Sequence, residues 1–547
     1  MANIFDTVFI EKPKRSKQNL SHSRLLTTDY GKLVPILAMD CVPGDKVKLS
    51  STCFIRTAPM LSPSLTPSTA RIDYFFVPYR LVWDDFRDFI TGGEDGLAAP
   101  KEPFYHVLPK SPYNKAGSLF DHLGIPTEIT RPVNNVTLMM RAYNMIWNEW
   151  YRDQNTQSEA EVLKTSGQES QDDTRYALKY RCWRKDMFTS ALKSPQRGVS
   201  VPINTTTEAH ISGQVVNVRP FTQDGNNVTR IDFVDSNGDY RLGELKVVDG
   251  VLQFKAIDGH SSTPSSADNP VPLINTPVTL TSNEPVEING LTISIQDIRR
   301  ANAVQVWLER NARAGSRYVE QILSHFGVRT PDFRLDRPEY LGGATQPVQV
   351  KSVMNMTELN TSKYADAVGA LSGAGTSIGY AKGRKTYNVQ EHGCIIGLLS
   401  IMPEAMYYQG VPRHFLKSTK FEWLFPEFAN LGEQPIYIQE LYREDGAPDS
   451  YFGYEERYAE YKYIQNSIHG DFRTSLKFWH QAREFGSTPS LTAPFVECSP
   501  NKDGINRIWA VNTAPDGSQI DHFWVQINNS VKMKRPIPKY GIPSLKV

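Results

Sequence analysis

The side chains best placed to do chemistry in this chain fail, one group after another, to assemble into a recognisable reaction centre. The segment LSGAGTSIGYAKGRK carries Gly373, Gly375, Gly379 and Gly383. Its spacing matches neither GxGxxG nor the phosphate-cradling GxxxxGK[ST], and no strand–helix–strand frame surrounds it, so it reads as a mobile surface loop. Asp235-Ser-Asn237-Gly-Asp239 has the oxygen-rich look of a calcium loop, but its glycine falls at the fourth position instead of the sixth and no Glu closes it. A hairpin turn is the simpler reading. The histidines are scattered, without HExxH or a pair at ligand spacing, and no GxSxG elbow marks a nucleophile. Glu455 and Glu456 stand beside Arg457 in GYEERYAEYKY, where a solvated or interfacial charge run is the ordinary explanation. Spacing alone cannot identify two carboxylates that flank a sugar, which leaves a β-sandwich glycosidase open. No catalytic residue, cofactor or metal is expected.

The cations are more informative. Lys12, Lys14, Arg15 and Lys17 near the start, and Lys532, Lys534, Arg535 and Lys539 near the end, are shielded by no acid except Glu11. Such groups can neutralise phosphates without reading bases, and they are the candidate DNA contacts. Solvent-facing termini are the equal alternative. Across the whole chain 60 basic residues meet 59 acidic ones, for a net charge of +1. That balance excludes a domain that coats nucleic acid electrostatically, so any DNA contact should be local.

The elements that would hold these groups are mainly strands. From Val47 the chain alternates, with Val47, Leu49, Cys53 and Ile55 on one face and Lys48, Ser50, Thr52 and Arg56 on the other, as a half-buried strand does. PMLSPSLTPS must be a loop, and RIDYFFVPYRLVW a more buried strand ending near Pro78. Helices are expected over Trp83 to Ile90 and in RAYNMIWNEWYRDQN. There Tyr143, Ile146, Trp147, Trp150 and Tyr151 share one face, read as core packing with a nucleotide-stacking face as the sharper alternative. A long helix from about Ile295 to Phe326, interrupted at Gly315, should bury Ile298, Val304, Trp307, Tyr318 and Ile322. VQVKSV, CIIGLLSIM, QPIYIQ and HFWVQI return to strands. KMKRPIPKYGIP, with three prolines, suits an extended strap over a neighbouring subunit.

Residues 200–296 differ in character. Only Phe221, Phe233, Tyr240 and Phe254 are aromatic, and short alternating runs are separated by turn signals such as Asp224-Gly225 and Asn237-Gly238. This reads as an inserted β-rich module, with Asp224, Asn237, Asp239 and His260 as candidates for exposed protrusion residues. The five cysteines are far apart and unpaired in pattern, so buried free thiols are expected. The opening residues lack the order of a signal peptide, and the longest apolar stretch is too short to span a bilayer. Synthesis in a reducing cytoplasm is the expectation, and the Asn-x-Ser/Thr triplets at Asn135, Asn204 and Asn227 then have no role as glycosylation sites.

Several strings, in order along nearly the whole chain, resemble the major capsid proteins of the gokushoviruses, a branch of the Microviridae. They are DYGKLVPILAMDCVPGD, YFFVPYRLVWDDFRDFITGG, RAYNMIWNEWYRDQN, RKDMFTSALKSPQRG, RLDRPEYLGG, EHGCIIGLLSIMP with YYQGVPR, and YAEYKYIQNSIHGDFR. One departure is Lys193-Ser194-Pro195, where the family carries a Pro-Trp-Pro-like turn, which bears on packing at the base of the insertion. The resemblance implies an eight-stranded antiparallel jelly roll, a β-sandwich with long inter-strand insertions containing helices and a small β-rich protruding module. It also implies a T=1 icosahedral shell of identical copies, a circular single-stranded DNA genome inside, a separate small basic DNA-packaging protein, and an insertion near the threefold axes that meets a bacterial host surface receptor. The corresponding division is 1–30 as an extended arm, 31–199 as the first part of the jelly roll, 200–296 as the protrusion, and 297–547 as the remainder with the C-terminal strap. A carbohydrate-binding or carbohydrate-active β-sandwich, or a minor spike or scaffolding protein, is what the composition alone would also permit.

Overall fold

The computed structural model describes residues 14–108, 115–127, 129–170, 173–198, 218–223, 226–234, 240–248, 251–257, 295–354, 356, 369–384, 386–443, 450–515 and 517–540. The chain forms two compact units, one of residues 1–199 with 307–547 and one of residues 200–306.

In the larger unit the early strands are β1 (Ser16–Asn19), β2 (His22–Thr28), β3 (Val34–Cys41), β4 (Lys46–Thr57), β5 (Ser68–Pro78) and the short pair β6 (Phe104–Val107) and β7 (Val133–Val136). The smaller unit contributes β8 (Val218–Gln223), β9 (Asn226–Val234), β10 (Tyr240–Val248) and β11 (Val251–Ile257), an antiparallel sheet in the order β11-β10-β9-β8. After it the larger unit resumes with β12 (Glu339–Met354), β13 (Leu371–Lys382), β14 (Tyr387–Asn388), β15 (Gly393–Pro403), β16 (Glu433–Tyr437), β17 (Tyr451–Glu456) and β18 (Phe523–Arg535).

The large sheet runs β1-β18-β4-β13-β12-β5-β15-β3, with β2 also on β18 and β14 on β4, and every pair is antiparallel. It curls because β12 serves two halves. Its first part pairs with β5 from Glu339 to Val348, and its second part pairs with β13 from Gln349 to Met354. A strand that changes partners in this way makes the corner of a sandwich. Between the halves lie Val47, Leu49, Cys53 and Ile55 of β4, Ile72, Tyr74 and Phe76 of β5, Ile395, Leu399 and Ile401 of β15, and Phe523, Val525, Ile527 and Val531 of β18. The period-two patterns of β4 and β18 exist to fill this core. The fold is therefore mainly β, an antiparallel jelly-roll sandwich with insertions.

A second core covers the other face of β5 and β15. Phe75, Val77, Cys394, Ile396 and Leu398 meet Tyr143, Ile146 and Trp147, with Trp150 and Tyr151 packed alongside. The helix Leu138–Ile146, continued by a π turn over Trp147–Tyr151, thus spends its aromatic face on core packing, and β15 is buried along its full length. Cys41, Cys53, Cys394 and Cys498 are buried thiols, Cys182 is half-buried, and all five are free.

Two expectations are corrected here. The glycine-rich segment is no surface loop but β13, in the middle of the sheet between β4 and β12. Gly373, Gly375 and Gly379 share one face of the strand, with Ser377 and Ala381, because other groups press on that face. A Cβ at Gly373 would lie 2.7 Å from the Ser62 carbonyl oxygen, and one at Gly375 would lie 2.5 Å from the Thr57 methyl. The expected long helix divides at Gly315 into Ile295–Ala314 and Tyr318–Phe326, yet Ile298, Val304, Trp307 and Tyr318 are exposed and Ile322 is only half-buried. Helical spacing shows that a stripe is apolar; it does not say which molecule covers it.

Candidate nucleic-acid interface and subunit-contact surface

The antiparallel pairing of β1 with β18 brings the two terminal basic clusters together. Lys17 stands opposite Lys534, Asn19 opposite Lys532 and Ser16 opposite Arg535. On the far side of β18, Lys534 faces Lys46 and Lys532 faces Lys48. All five lysines are exposed. Sequence reasoning missed both Lys46 and Lys48 as members of this group, although their alternation with Val47 and Leu49 was the available signal. Lys14, Arg15 and Lys539 are also exposed, and Lys12 lies outside the described residues, as do Asp224, Asn237, Asp239 and His260.

Arg535 differs from its neighbours and corrects the expectation of an unshielded terminal cluster. Its Nε donates to both carboxylate oxygens of Asp45 at 3.2 and 3.1 Å, and its Nη2 donates to Asp45 at 2.9 Å and to the Asp40 carbonyl at 2.8 Å. Asp45 is buried, so this guanidinium ties the end of β18 to the β3–β4 turn and is no free phosphate ligand.

A second surface is built where residues 413–431 meet residues 451–464. Beneath it lies a buried polar network. Arg413 Nη1 donates to Glu440 Oε1 at 2.9 Å and to the Pro435 carbonyl at 2.7 Å, and stands 3.9 Å from Glu455 Oε1. Gln434 Nε2 bridges Glu455 at 2.9 Å and Glu460 at 3.0 Å, while Lys417 Nζ reaches Glu460 at 3.0 Å and packs over the rings of Trp423 and Tyr461. Glu455, read from sequence as part of a charge run, points inward from β17, whereas Glu456 is exposed. Above this network Phe415, Trp423, Phe425, Leu431, Tyr461 and Ile464 are exposed, Ile464 by 90%. Held from below by hydrogen bonds, the loops present a preformed apolar surface, which lowers the ordering cost of an interface.

Burial pushes the carboxyls of Glu440 and Glu455 up to about 7, with Arg413 opposing and, for Glu455, the neighbouring Glu440 reinforcing the rise. A carboxyl that holds its proton more tightly folded than unfolded stabilises the fold at acid pH. That stability is full below the ordinary value of 4.5 and is lost as pH rises through about 7. The urea midpoint of the subunit should therefore fall between pH 5 and 7.5. Glu455→Gln, which leaves Glu440 alone with Arg413, should flatten that fall. An unchanged pH slope in the variant would remove the cluster as its cause.

Among the described residues no three His, Cys, Asp or Glu side chains gather as a metal set. What the geometry offers is a closed sandwich whose long connections carry rigid apolar surface and one of whose sheets carries cations. That is the build of a shell subunit. The chain belongs to the phage capsid family whose model, described as "Capsid protein (F protein)", matches residues 7–545. It is similar to the capsid protein VP1 of Chlamydia phage 1, with 31% identity covering 100% of this chain and 98% of that one. The capsid protein VP1 of Bdellovibrio phage phiMH2K is 34% identical over 97% of this chain and 95% of its own length, and that of Spiroplasma virus 4 is 28% identical over the same shares. The chain is thus a phage major capsid protein of the gokushovirus type, a component of the virion, and the carbohydrate-binding alternative has no support.

Proposed function

We propose that identical copies of this chain close a T=1 icosahedral shell around a circular single-stranded DNA genome, and that the work of the protein is mechanical, without catalysis. The observation that carries the reading is the rigid apolar surface over residues 413–431 and 451–464. Phe415 and Leu431 are 73% and 65% exposed in the single subunit and suit burial against another copy. In a closed shell each copy meets several neighbours, so contacts of ordinary size add up to a particle that resists dissociation.

In this reading Lys14, Arg15, Lys17, Lys532, Lys534 and Lys539 face the genome, together with Lys12. Most of the DNA charge is left to a small basic packaging protein, since the chain itself is nearly neutral. The module of residues 200–296 serves as an outward protrusion that meets a receptor on the bacterial host, with Asp224, Asn237, Asp239 and His260 as the candidate receptor contacts. Subunits are made in the host cytoplasm.

Electron microscopy of the expressed chain tests the assembly. Wild type should form closed particles, and Phe415→Ser with Leu431→Ser and Ile464→Ser should leave folded single subunits. A chain lacking residues 205–290 should still form shells and, in a complete virion, lose adsorption. Wild-type chain that stays monomeric with an intact fold under every assembly condition, or a triple variant that assembles normally, would overturn the proposal.

A further inference from the structure

The five strands β1, β2, β18, β4 and β13 contain no Asp or Glu at any position. They do so in a chain whose acids and bases almost balance. One face of these strands closes the core described above, and the other is exposed.

Register sets out that exposed face in rows. At one end Lys17, Lys534 and Lys46 lie side by side across three strands, followed by Asn19, Lys532 and Lys48. Next come Ser530, Ser50 and Lys382, and then Ser23, Asn528, Thr52 and Tyr380. The last rows are Leu25, Gln526, Phe54 and Ile378, and Thr27, Trp524, Arg56 and Thr376. Successive rows are about 6.8 Å apart, the distance between alternate residues of a strand. The face therefore grades from a block of lysines, through hydroxyls and amides, into exposed rings and aliphatic groups. Trp524 is 49% exposed, Tyr380 60%, Ile378 74% and Leu25 81%, and the Arg56 guanidinium lies 5.2 Å over the Phe54 ring.

Neither end of this face is what stability alone would place there. Like charges directly opposite on neighbouring strands repel, and no acid on these strands relieves them. Large apolar side chains on an outer sheet face lose the shelter of the core. A polyanion with flat apolar bases answers both: its phosphates neutralise the lysine rows, and its bases stack on the rings and on Arg56, which suits single-stranded DNA without sequence preference.

We propose that the exposed face of β1, β2, β18, β4 and β13 is a binding platform for single-stranded DNA, with the lysine rows holding phosphates and Trp524, Tyr380 and Phe54 stacking bases. This rests on the reading that the terminal cations meet the genome, and it extends that contact into the sheet. Paired bases cannot offer their faces to the rings, so duplex DNA should bind through the lysines alone.

Fluorescence anisotropy with a labelled oligo(dT) of about 16 nucleotides, a site size of single-strand binding folds, tests this on the full-length chain over a range of salt concentrations. Lys46, Lys48, Lys532 and Lys534 changed together to Gln should weaken binding and lower the salt slope by up to about 3. Trp524→Ala with Tyr380→Ala should weaken binding about tenfold or more at an unchanged slope, and Trp524→Phe with Tyr380→Phe should restore it. Loss in the lysine variant with no change in the ring variant would overturn the platform while keeping the terminal contacts. Absence of any binding by the wild-type chain would overturn both. Unchanged binding in the lysine variant, with assembly lost, would give the face to a neighbouring subunit and also overturn the platform.

Discussion

Arg141→Met is expected to destabilise the subunit by about 3 kcal/mol, the cost of taking from a buried carboxylate its nearest cation and leaving it only Arg175, whose Nη1 stands 3.6 Å from Glu169 Oε2. Arg141 is fully buried on the helix Leu138–Ile146. Its Nε donates to Glu169 Oε1 at 2.8 Å, Nη1 to the Val82 carbonyl at 2.9 Å and Nη2 to the Thr165 carbonyl at 3.0 Å. Glu169, equally buried, also accepts from Thr137 Oγ1 and from the Tyr176 hydroxyl. One guanidinium thus joins the helix to the segments before and after it, and a thioether can replace its volume but none of its five donors. The double change Arg141→Met with Glu169→Leu should recover part of the loss, because a hydrophobic pair of similar size removes both charges at once. Urea denaturation of the four proteins gives the comparison. If the double variant is as unstable as the sum of the two singles, the carbonyls left without a donor matter more than the carboxylate left with Arg175 alone, and the charge argument fails.

How much of this was legible in the sequence depends on what each residue faces. β4 and β18 were readable because Val47, Leu49, Cys53 and Ile55, and Phe523, Val525 and Ile527, alternate with polar residues and meet a core of their own subunit. β13 was not, because its inward positions are Gly373, Gly375 and Gly379: small side chains were needed under Ser62, Thr57 and Gln346, and this erased the apolar half of the alternation. Trp307 and Tyr318 were misjudged for the opposite reason: their apolar character is plain, yet both are exposed, Trp307 stacking, among the described residues, only on His325. The cationic residues were visible singly. That Lys17 and Lys534 are neighbours follows only from the pairing of strands at opposite ends of the chain, which no local pattern reveals.

Gly31→Ala is expected to prevent a soluble subunit from accumulating, and Gly327→Ala to lose only about 1–2 kcal/mol, although both glycines hold a positive φ, of 74° and 68°. Gly327 ends the helix Tyr318–Phe326, and a Cβ there would meet nothing within 4 Å, so its substitution carries the backbone penalty alone. Gly31 sits between β2 and β3, where three segments cross. Its N–H donates to the Ile401 carbonyl at 2.9 Å, its carbonyl accepts from the Arg181 N–H at 2.8 Å, and the Cys498 N–H in turn donates to the Arg181 carbonyl at 3.0 Å. A Cβ at this position would fall 1.8 Å from the Cys498 carbonyl oxygen. That oxygen belongs to backbone, so relief requires the 498 segment to retreat from the crossing. The retreat would reach further: Asp29, two residues away, accepts from the Tyr30 N–H at 2.7 Å and lies 2.8 Å from His522 Nδ1, and His522 stacks on Trp509 in the main core. Soluble yield and thermal midpoints of the two variants, expressed side by side, separate backbone strain from crowding. Equal losses at both positions would mean that the crossing yields readily, and the rigidity assigned to this corner of the sandwich would have to be given up.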